Sequence, residues 1–589
     1  MSGSPDTPAT VSALAIEGLL VRYLGTRRAS LEGISASIEA GQLVAVTGPT
    51  GAGKSTLALA AAGFIPRVVR AHVEGTVTLG ALAITQASAA QLAGRVGIVF
   101  STPAHQLSAS KPTVREELAF GLENLGMRRA EMDDRIDEVM GHLGIGHLAD
   151  REPLTLSGGE QQRVAIASIV AMGTDAIVLD EPTAQLDPGG TLDVATLLQR
   201  LAADGRTVLC TEQDAEVLGL ARRCLLLDAG RETTFDIPGR ALGSATLAPL
   251  GLRPPSMVAL AEAANVPAES AFDELLIADA LRAHSAAGSL RAMESPSETA
   301  ASIDLMPMRE NAPASVRVSA LVHDYPGGVT ALRGVDLEID AGERVAIVGQ
   351  NGSGKTTLVK HLNGLLRPGG GNVFVGGRDI GAESVADLAA TVGFVFQSPD
   401  DQLFERSVER EVGFGPANLR LPVALRNRLV DRALEVVGLV GSRASNPYDL
   451  GAAERKFVAL ASVLAMDPAV LILDEPTSGQ DAPGVDRIAD VVAAWAASGR
   501  AVIAVTHDMD FAARAFGRIV VMRAGEVILD GPPESVFQPE NHALLESAGL
   551  RPPAAARVAA RLHMKDVPLD VRSLLASLNL EAAAAAHHR

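Results

Sequence analysis

GPTGAGKST (Gly48–Thr56) and GQNGSGKTT (Gly349–Thr357) are one pattern written twice, G-x-x-x-x-G-K-Ser/Thr. Glycines at this spacing let backbone N–H groups approach phosphate oxygens with no intervening Cβ, and the helix that follows adds its positive N-terminus. The pattern predicts two phosphate cradles. One is built from Gly48, Pro49, Thr50, Gly51, Ala52, Gly53, Lys54, Ser55 and Thr56, the other from Gly349, Gln350, Asn351, Gly352, Ser353, Gly354, Lys355, Thr356 and Thr357. Lys54 and Lys355 are expected to reach the β- and γ-phosphates of a nucleotide, and the hydroxyls of Ser55 and Thr356 to hold Mg2+.

The repeat continues away from the loops. Lys54 and Lys355 lie 301 residues apart, and LGLRPPSMVAL from Leu250 is echoed by AGLRPPAAARV from Ala548. A unit of that length is a whole domain with an appendage, not a solenoid repeat. The boundaries expected are 12–240 for the first domain, 241–285 for its appendage, 286–314 for a linker rich in Ala, Ser, Glu and Pro, 315–540 for the second domain and 541–589 for the second appendage and tail. The final EAAAAAHHR reads as a frayed end or a helix end.

The net charge of −19 disfavours a nonspecific grip on nucleic acid. No apolar run is long enough to span a bilayer. MSGSPDTPAT lacks the basic start and apolar core of a secretion signal. The two cysteines, Cys210 and Cys224, are expected to be buried free thiols.

Short apolar runs flanked by turns read as buried parallel strands: 43–49 and 344–350 entering the loops, 176–182 and 469–476 ending in Asp-Glu-Pro, and 207–214 and 501–508. Helical stretches alternate with them, so each core is expected to be a doubly wound α/β sheet with ligand at the C-terminal strand ends. Asp180 and Asp474 close such strands and can hold Mg2+. Glu181 and Glu475 follow and would face the γ-phosphate, where a carboxylate can polarise or deprotonate an attacking water.

LSGGEQQRVAIAS (Leu156–Ser168) is the most specific string in the chain. With the preceding motifs it identifies the sequence as resembling an ATP-binding-cassette (ABC) ATPase with two cassettes fused. The resemblance implies two tandem P-loop NTPase domains, each with a mostly parallel sheet core, an antiparallel β part and a helical subdomain. It implies ATP and Mg2+ as cofactors. It also implies that Ser157, Gly158 and Gly159 cap a helix whose N-terminus meets the γ-phosphate of ATP on the other cassette, which suits a hydroxyl, bare N–H groups and a helix dipole. Gln397 in VGFVFQSPDDQLF resembles the family glutamine that binds Mg2+ or the water and couples the site to the membrane partner. His507 in VTHD resembles the switch histidine on the γ-phosphate. Tyr23 and Tyr325, upstream of each loop, resemble the aromatic that stacks on adenine, with core packing as the alternative. Asp187 and Asp481 stand where the family has its D-loop aspartate.

Each half departs from the pattern somewhere. The second half reads LGAAERKFVALAS from Leu450, with Gly451 for the serine and Ala452 and Ala453 for the glycines. The first half has Ser101 for the glutamine and Gln213 for the histidine. An amide cannot shuttle protons as an imidazole can. If each site takes its loop from one half and its signature from the other, every departure falls in one site. Lys355, Gln397, Glu475 and His507 with Ser157–Gly159 make a complete set, and Lys54, Ser101, Glu181 and Gln213 with Gly451–Ala453 a degenerate one. One hydrolysing site and one mainly ATP-binding site are expected, with both cassettes pairing within the chain.

QSPDDQLF, with Gln402 and Phe404, and the Gly-Leu-Arg-Pro-Pro appendages are similar to the ATPases of energy-coupling-factor (ECF) importers. That similarity implies T-type and S-type membrane components, uptake of a vitamin or transition-metal ion, and a peripheral position on the cytoplasmic face of the cell membrane. The other readings are a tandem sugar-importer or exporter ATPase, and a soluble ABC ATPase acting on ribosomes or DNA. The second is disfavoured by a linker poor in charge and by the short stretches from Lys54 to Ser157 and Lys355 to Gly451, which leave no room for long coiled coils.

Overall fold

A computed structural model describes residues 14–184, 186–287, 315–326, 328–381 and 383–587. The stretch read as a linker falls from residue 288 onward outside the described residues, as do the first ten residues. Two compact units divide the chain: one runs through Glu262 and includes Pro267–Phe272, the other holds Ala263–Val266 and everything from Asp273 on.

In the first unit a six-stranded sheet runs in the order Val96–Val99, Ala176–Asp180, Thr207–Thr211, Leu43–Thr47, Arg223–Asp228, Arg231–Asp236. Neighbours are parallel except the last pair. All five residues of Leu43–Thr47 are buried, as a strand covered on both faces requires. A second, antiparallel sheet sets Leu14–Tyr23 between Leu31–Ile38 and Ala71–Leu79. Helices Val114–Asn124, Arg129–His142 and Gly158–Ala171 pack on one another as a helical part.

The second unit repeats this plan. Its main sheet runs Val392–Val395, Val470–Asp474, Ala501–Val505, Arg344–Val348, Arg518–Arg523, Glu526–Gly531, again with only the last pair antiparallel. Its antiparallel sheet centres on Val316–Tyr325. Helices Val408–Asn418, Val423–Val436 and Ala452–Leu464 form its helical part.

The unit also includes helix Glu274–Ala287, part of the segment read as the first appendage. There the Glu274 carboxylate receives Arg557 Nε at 3.0 Å and Arg561 Nε at 2.6 Å. The terminal helix Val571–His587 carries the alanine-rich tail. Cys210 and Cys224 are buried free thiols. Among the described residues no helix is long and apolar enough to cross a membrane.

Candidate functional site

Both phosphate-binding loops join the C-terminal end of a buried strand to a helix, from Leu43–Thr47 to Lys54–Ala61 and from Arg344–Val348 to Lys355–Leu362. Gly354, at the helix start, has φ +101°, and a Cβ there would lie 2.6 Å from the Ala331 carbonyl oxygen. Only glycine can make that turn so close to another backbone. Each loop lysine folds onto its own loop. Lys54 Nζ donates to the carbonyls of Gly48 and Pro49 at 2.9 and 3.2 Å, and Lys355 Nζ to those of Gly349 and Gln350 at 2.7 and 2.9 Å.

The tyrosines reach the loops from the antiparallel sheets. Tyr23 Oη lies 3.0 Å from Thr56 Oγ1, and Tyr325 Oη 3.2 Å from Thr357 Oγ1. Tyr325 is 38% exposed, so it is not a core side chain and offers ring surface beside the loop.

In the second unit the strand-end acids converge on this loop. Thr356 Oγ1 donates to Asp474 Oδ1 at 3.3 Å. Burial and the neighbouring Glu475 charge push Asp474 up to about 6. A threonine hydroxyl and an aspartate side by side form an oxygen-only donor set, which suits a hard cation such as Mg2+. Glu475 Oε2 lies 2.8 Å from His507 Nδ1 as an ion pair. Burial works against the Glu475 charge, but His507, then Lys355 and Lys456, hold its carboxyl below the ordinary range. Burial likewise opposes a proton on His507, but Glu475 raises it above the usual imidazole value. Gln397 follows strand Val392–Val395 and is exposed, with no hydrogen bond among the described residues.

The first unit assembles the same positions with different chemistry. Asp180 Oδ1 accepts from Thr211 Oγ1 at 2.7 Å, and Ser55 also bonds its carboxylate. Glu181 faces Lys54 at 3.9 Å. Burial raises the Glu181 pKa more than Lys54 lowers it. No imidazole is present to correct this: Gln213 Nε2 donates instead to the Gly48 carbonyl at 3.1 Å. Ser101, after strand Val96–Val99, is half-buried.

Ser157 caps helix Gly158–Ala171, its Oγ donating to Glu160 Oε2 at 2.7 Å. Gly451 begins helix Ala452–Leu464 with the same backbone, φ −63° and ψ 158° in both. The departure there is therefore one of side chains, not of path. Among the described residues a Cβ added at Gly159 would meet only Leu186 Cδ2, at 3.8 Å. Nothing among the described residues of the first unit demands glycine at that position. Asp187 and Asp481 cap the next helices, accepting from the N–H groups of Gly190 and Gly484 at 2.8 and 2.9 Å.

Three features escaped the motifs. Glu181 and Glu475 have φ of +46° and +48°, a left-handed backbone rare for glutamate. Thr211 supports the first acid pair by bonding Asp180 through its hydroxyl. Lys456 donates to the carbonyl oxygens of Glu475 and Ser478, both at 2.8 Å. Of these only Lys456 left a sequence trace, a lysine where the first signature helix has Gln162.

The family model for "ABC transporter" matches residues 31–184 and 332–478. A provisionally named ABC transporter ATP-binding protein of Methanosarcina acetivorans is 37% identical over 598 residues, spanning 99% of this chain and 95% of that one. One of Streptomyces avermitilis is 35% identical over 548 residues, 89% and 94% of the two chains. Among solved structures, cbiO1 of Clostridium perfringens, described as part of the ABC transporter complex cbiONQ, is 36% identical. It aligns 98% of its length with 42% of this chain at a TM-score of 0.37. An ATP-binding cassette solved as a post-hydrolysis dimer with ADP and Pi is 25% identical at a TM-score of 0.35. With a family match in each unit and relatives aligned from end to end, the chain belongs to the ABC transporter family and is an ATPase made of two fused ATP-binding cassettes.

Proposed function

We propose that this ATPase powers ECF-type uptake of a vitamin or transition-metal ion, bound to T-type and S-type membrane components at the cytoplasmic face of the membrane. Its cassettes pair head to tail within the chain, and only one of the two composite sites hydrolyses ATP efficiently. The observation that carries the asymmetry is the contrast between the acids. Glu475 is paired with His507 at 2.8 Å and kept charged, whereas Glu181 has Lys54 at 3.9 Å, no imidazole, and a raised pKa. The free space beside Gly159 supports a γ-phosphate arriving there from outside the first unit. The ECF assignment rests on QSPDDQLF and on the paired Gly-Leu-Arg-Pro-Pro segments.

In the competent site the loop of Gly349–Thr357 and Lys355 bind the phosphates, and Tyr325 stacks on the base. Glu475 accepts a proton from water as the water oxygen bonds to the γ-phosphorus and the β–γ bridging oxygen leaves with ADP. His507 orients Glu475 and donates toward the γ-phosphate. Thr356, Asp474 and Gln397 would hold Mg2+, which supplies positive charge to the phosphates; Ser55 and Asp180 are its counterparts in the first unit. ATP binds the closed pair better than the open one, and this differential affinity drives closure on the membrane partner.

The test is turnover of Glu475→Gln and Glu181→Gln chains reconstituted with their co-purifying membrane proteins. Loss of nearly all activity in the first and a small loss in the second is expected. Equal losses would refute the asymmetry, and ribosomes or DNA in place of membrane proteins would refute the transport reading.

A further inference from the structure

The signature helix of the second unit, Ala452–Leu464, starts with Gly451, Ala452 and Ala453 where the first has Ser157, Gly158 and Gly159, and it carries Lys456, which the proposed function does not use. Its ammonium spans two backbone carbonyls, those of Glu475 and Ser478, at 2.8 Å each. Glu475 occupies the left-handed region, which a glutamate keeps only when its surroundings hold it there. Here both flanking peptides are held. The Glu475 N–H donates to the Val505 carbonyl at 2.9 Å, and the Glu475 carbonyl takes the lysine.

The first unit keeps the left-handed backbone at Glu181 and its N–H donates to the Thr211 carbonyl at 3.0 Å, but it lacks the lysine on the following carbonyl. Gln162 occupies the matching position, and a glutamine side chain places its nitrogen one bond nearer the backbone than a lysine does. Its Nε2 is buried without a hydrogen-bond partner among the described residues. The Glu181 carbonyl accepts instead from the Ala184 N–H at 3.3 Å.

We propose that Lys456 is a positioning residue for Glu475, fixing the peptide that aims the carboxylate at the attacking water. This rests on Glu475 being the base. The surroundings fit a held ammonium: burial pushes Lys456 down to about 8, while Glu475 and Asp474 favour its charge.

The experiment compares Lys456→Met and Lys456→Gln with wild type in the full chain, measuring kcat, KM for ATP, affinity for a fluorescent ATP analogue and the thermal midpoint. Lys456→Gln installs the first unit's own residue, so it serves if the methionine variant does not fold. The expected result is a kcat lowered about ten- to a hundredfold, the range for a misplaced catalytic group, with KM and analogue affinity unchanged. In a Glu475→Gln background, Lys456→Gln is expected to remove nothing more, since a group acting only through Glu475 has nothing left to position.

A wild-type kcat in Lys456→Gln, a fall in analogue affinity that parallels kcat, or a further loss in the double variant would overturn the proposal. Glu475→Gln with full turnover would defeat the reading beneath it. An inactive Glu475→Gln beside an active Lys456→Gln would defeat the brace alone.

Discussion

Replacing His507 by glutamine installs in the second unit the side chain that the first carries as Gln213. The change removes the 2.8 Å ion pair to Glu475 and leaves that carboxylate, 8% exposed, with only Lys355 and Lys456 to favour its charge. Burial then dominates, as it does at Glu181, and the Glu475 carboxyl moves up. A hydrogen bond to a charged group is worth about 1.5–3 kcal/mol. If the transition state loses that amount, kcat falls by about ten- to 150-fold, at about 1.36 kcal/mol per decade. Lys355 and the loop of Gly349–Thr357 are untouched, so KM for ATP should change little. Phosphate release by the full chain at saturating ATP measures the effect. A His507→Gln chain with wild-type kcat, or one losing activity only through KM, would show that the pair contributes nothing to the chemical step and that the asymmetry argued from it is unfounded.

Three other outcomes follow from local geometry. Gly159→Ala should leave the thermal midpoint unchanged, because its Cβ has room, yet lower ATPase activity; an unaffected rate would remove the support for a phosphate at that helix start. Tyr325→Ala should raise KM for ATP more than it lowers kcat, whereas a core role would show instead as a large loss in melting temperature. Glu274→Gln should destabilise the second unit by about 1–3 kcal/mol near neutral pH. Burial alone would raise the Glu274 pKa, but Arg561 and Arg557 hold it below the ordinary 4.5. Its contribution is therefore present above the unfolded value and lost as pH falls through the lower folded value. Urea melts should show the wild-type advantage closing in acid, and an advantage that persists there would rule out the ion pairs as its source.

Motifs announced the loops, the strand-end acids and the alternation of strand and helix because each depends on residue type at short spacing. Leu43–Thr47 is buried on both faces, as its apolar run implies. Less legible was anything set by backbone shape or by distant chain. A left-handed glutamate has no sequence mark: Glu181 and Glu475 both adopt it, each with its N–H on a carbonyl of a strand distant in sequence, that of Thr211 or Val505. Helix Glu274–Ala287 groups with the second unit, where its partners, Arg557 and Arg561 among them, lie far along the chain. The signature of the second half looked eroded as text, but the angles at Gly451 match those at Ser157.

That match separates the frame from the fuel. On the proposed asymmetry, both helix starts would offer nucleotide the same backbone path while the side chains would let only one ATP be broken readily. Each stroke would then be released by one hydrolysis, and the retained nucleotide would serve as a lasting hinge pin.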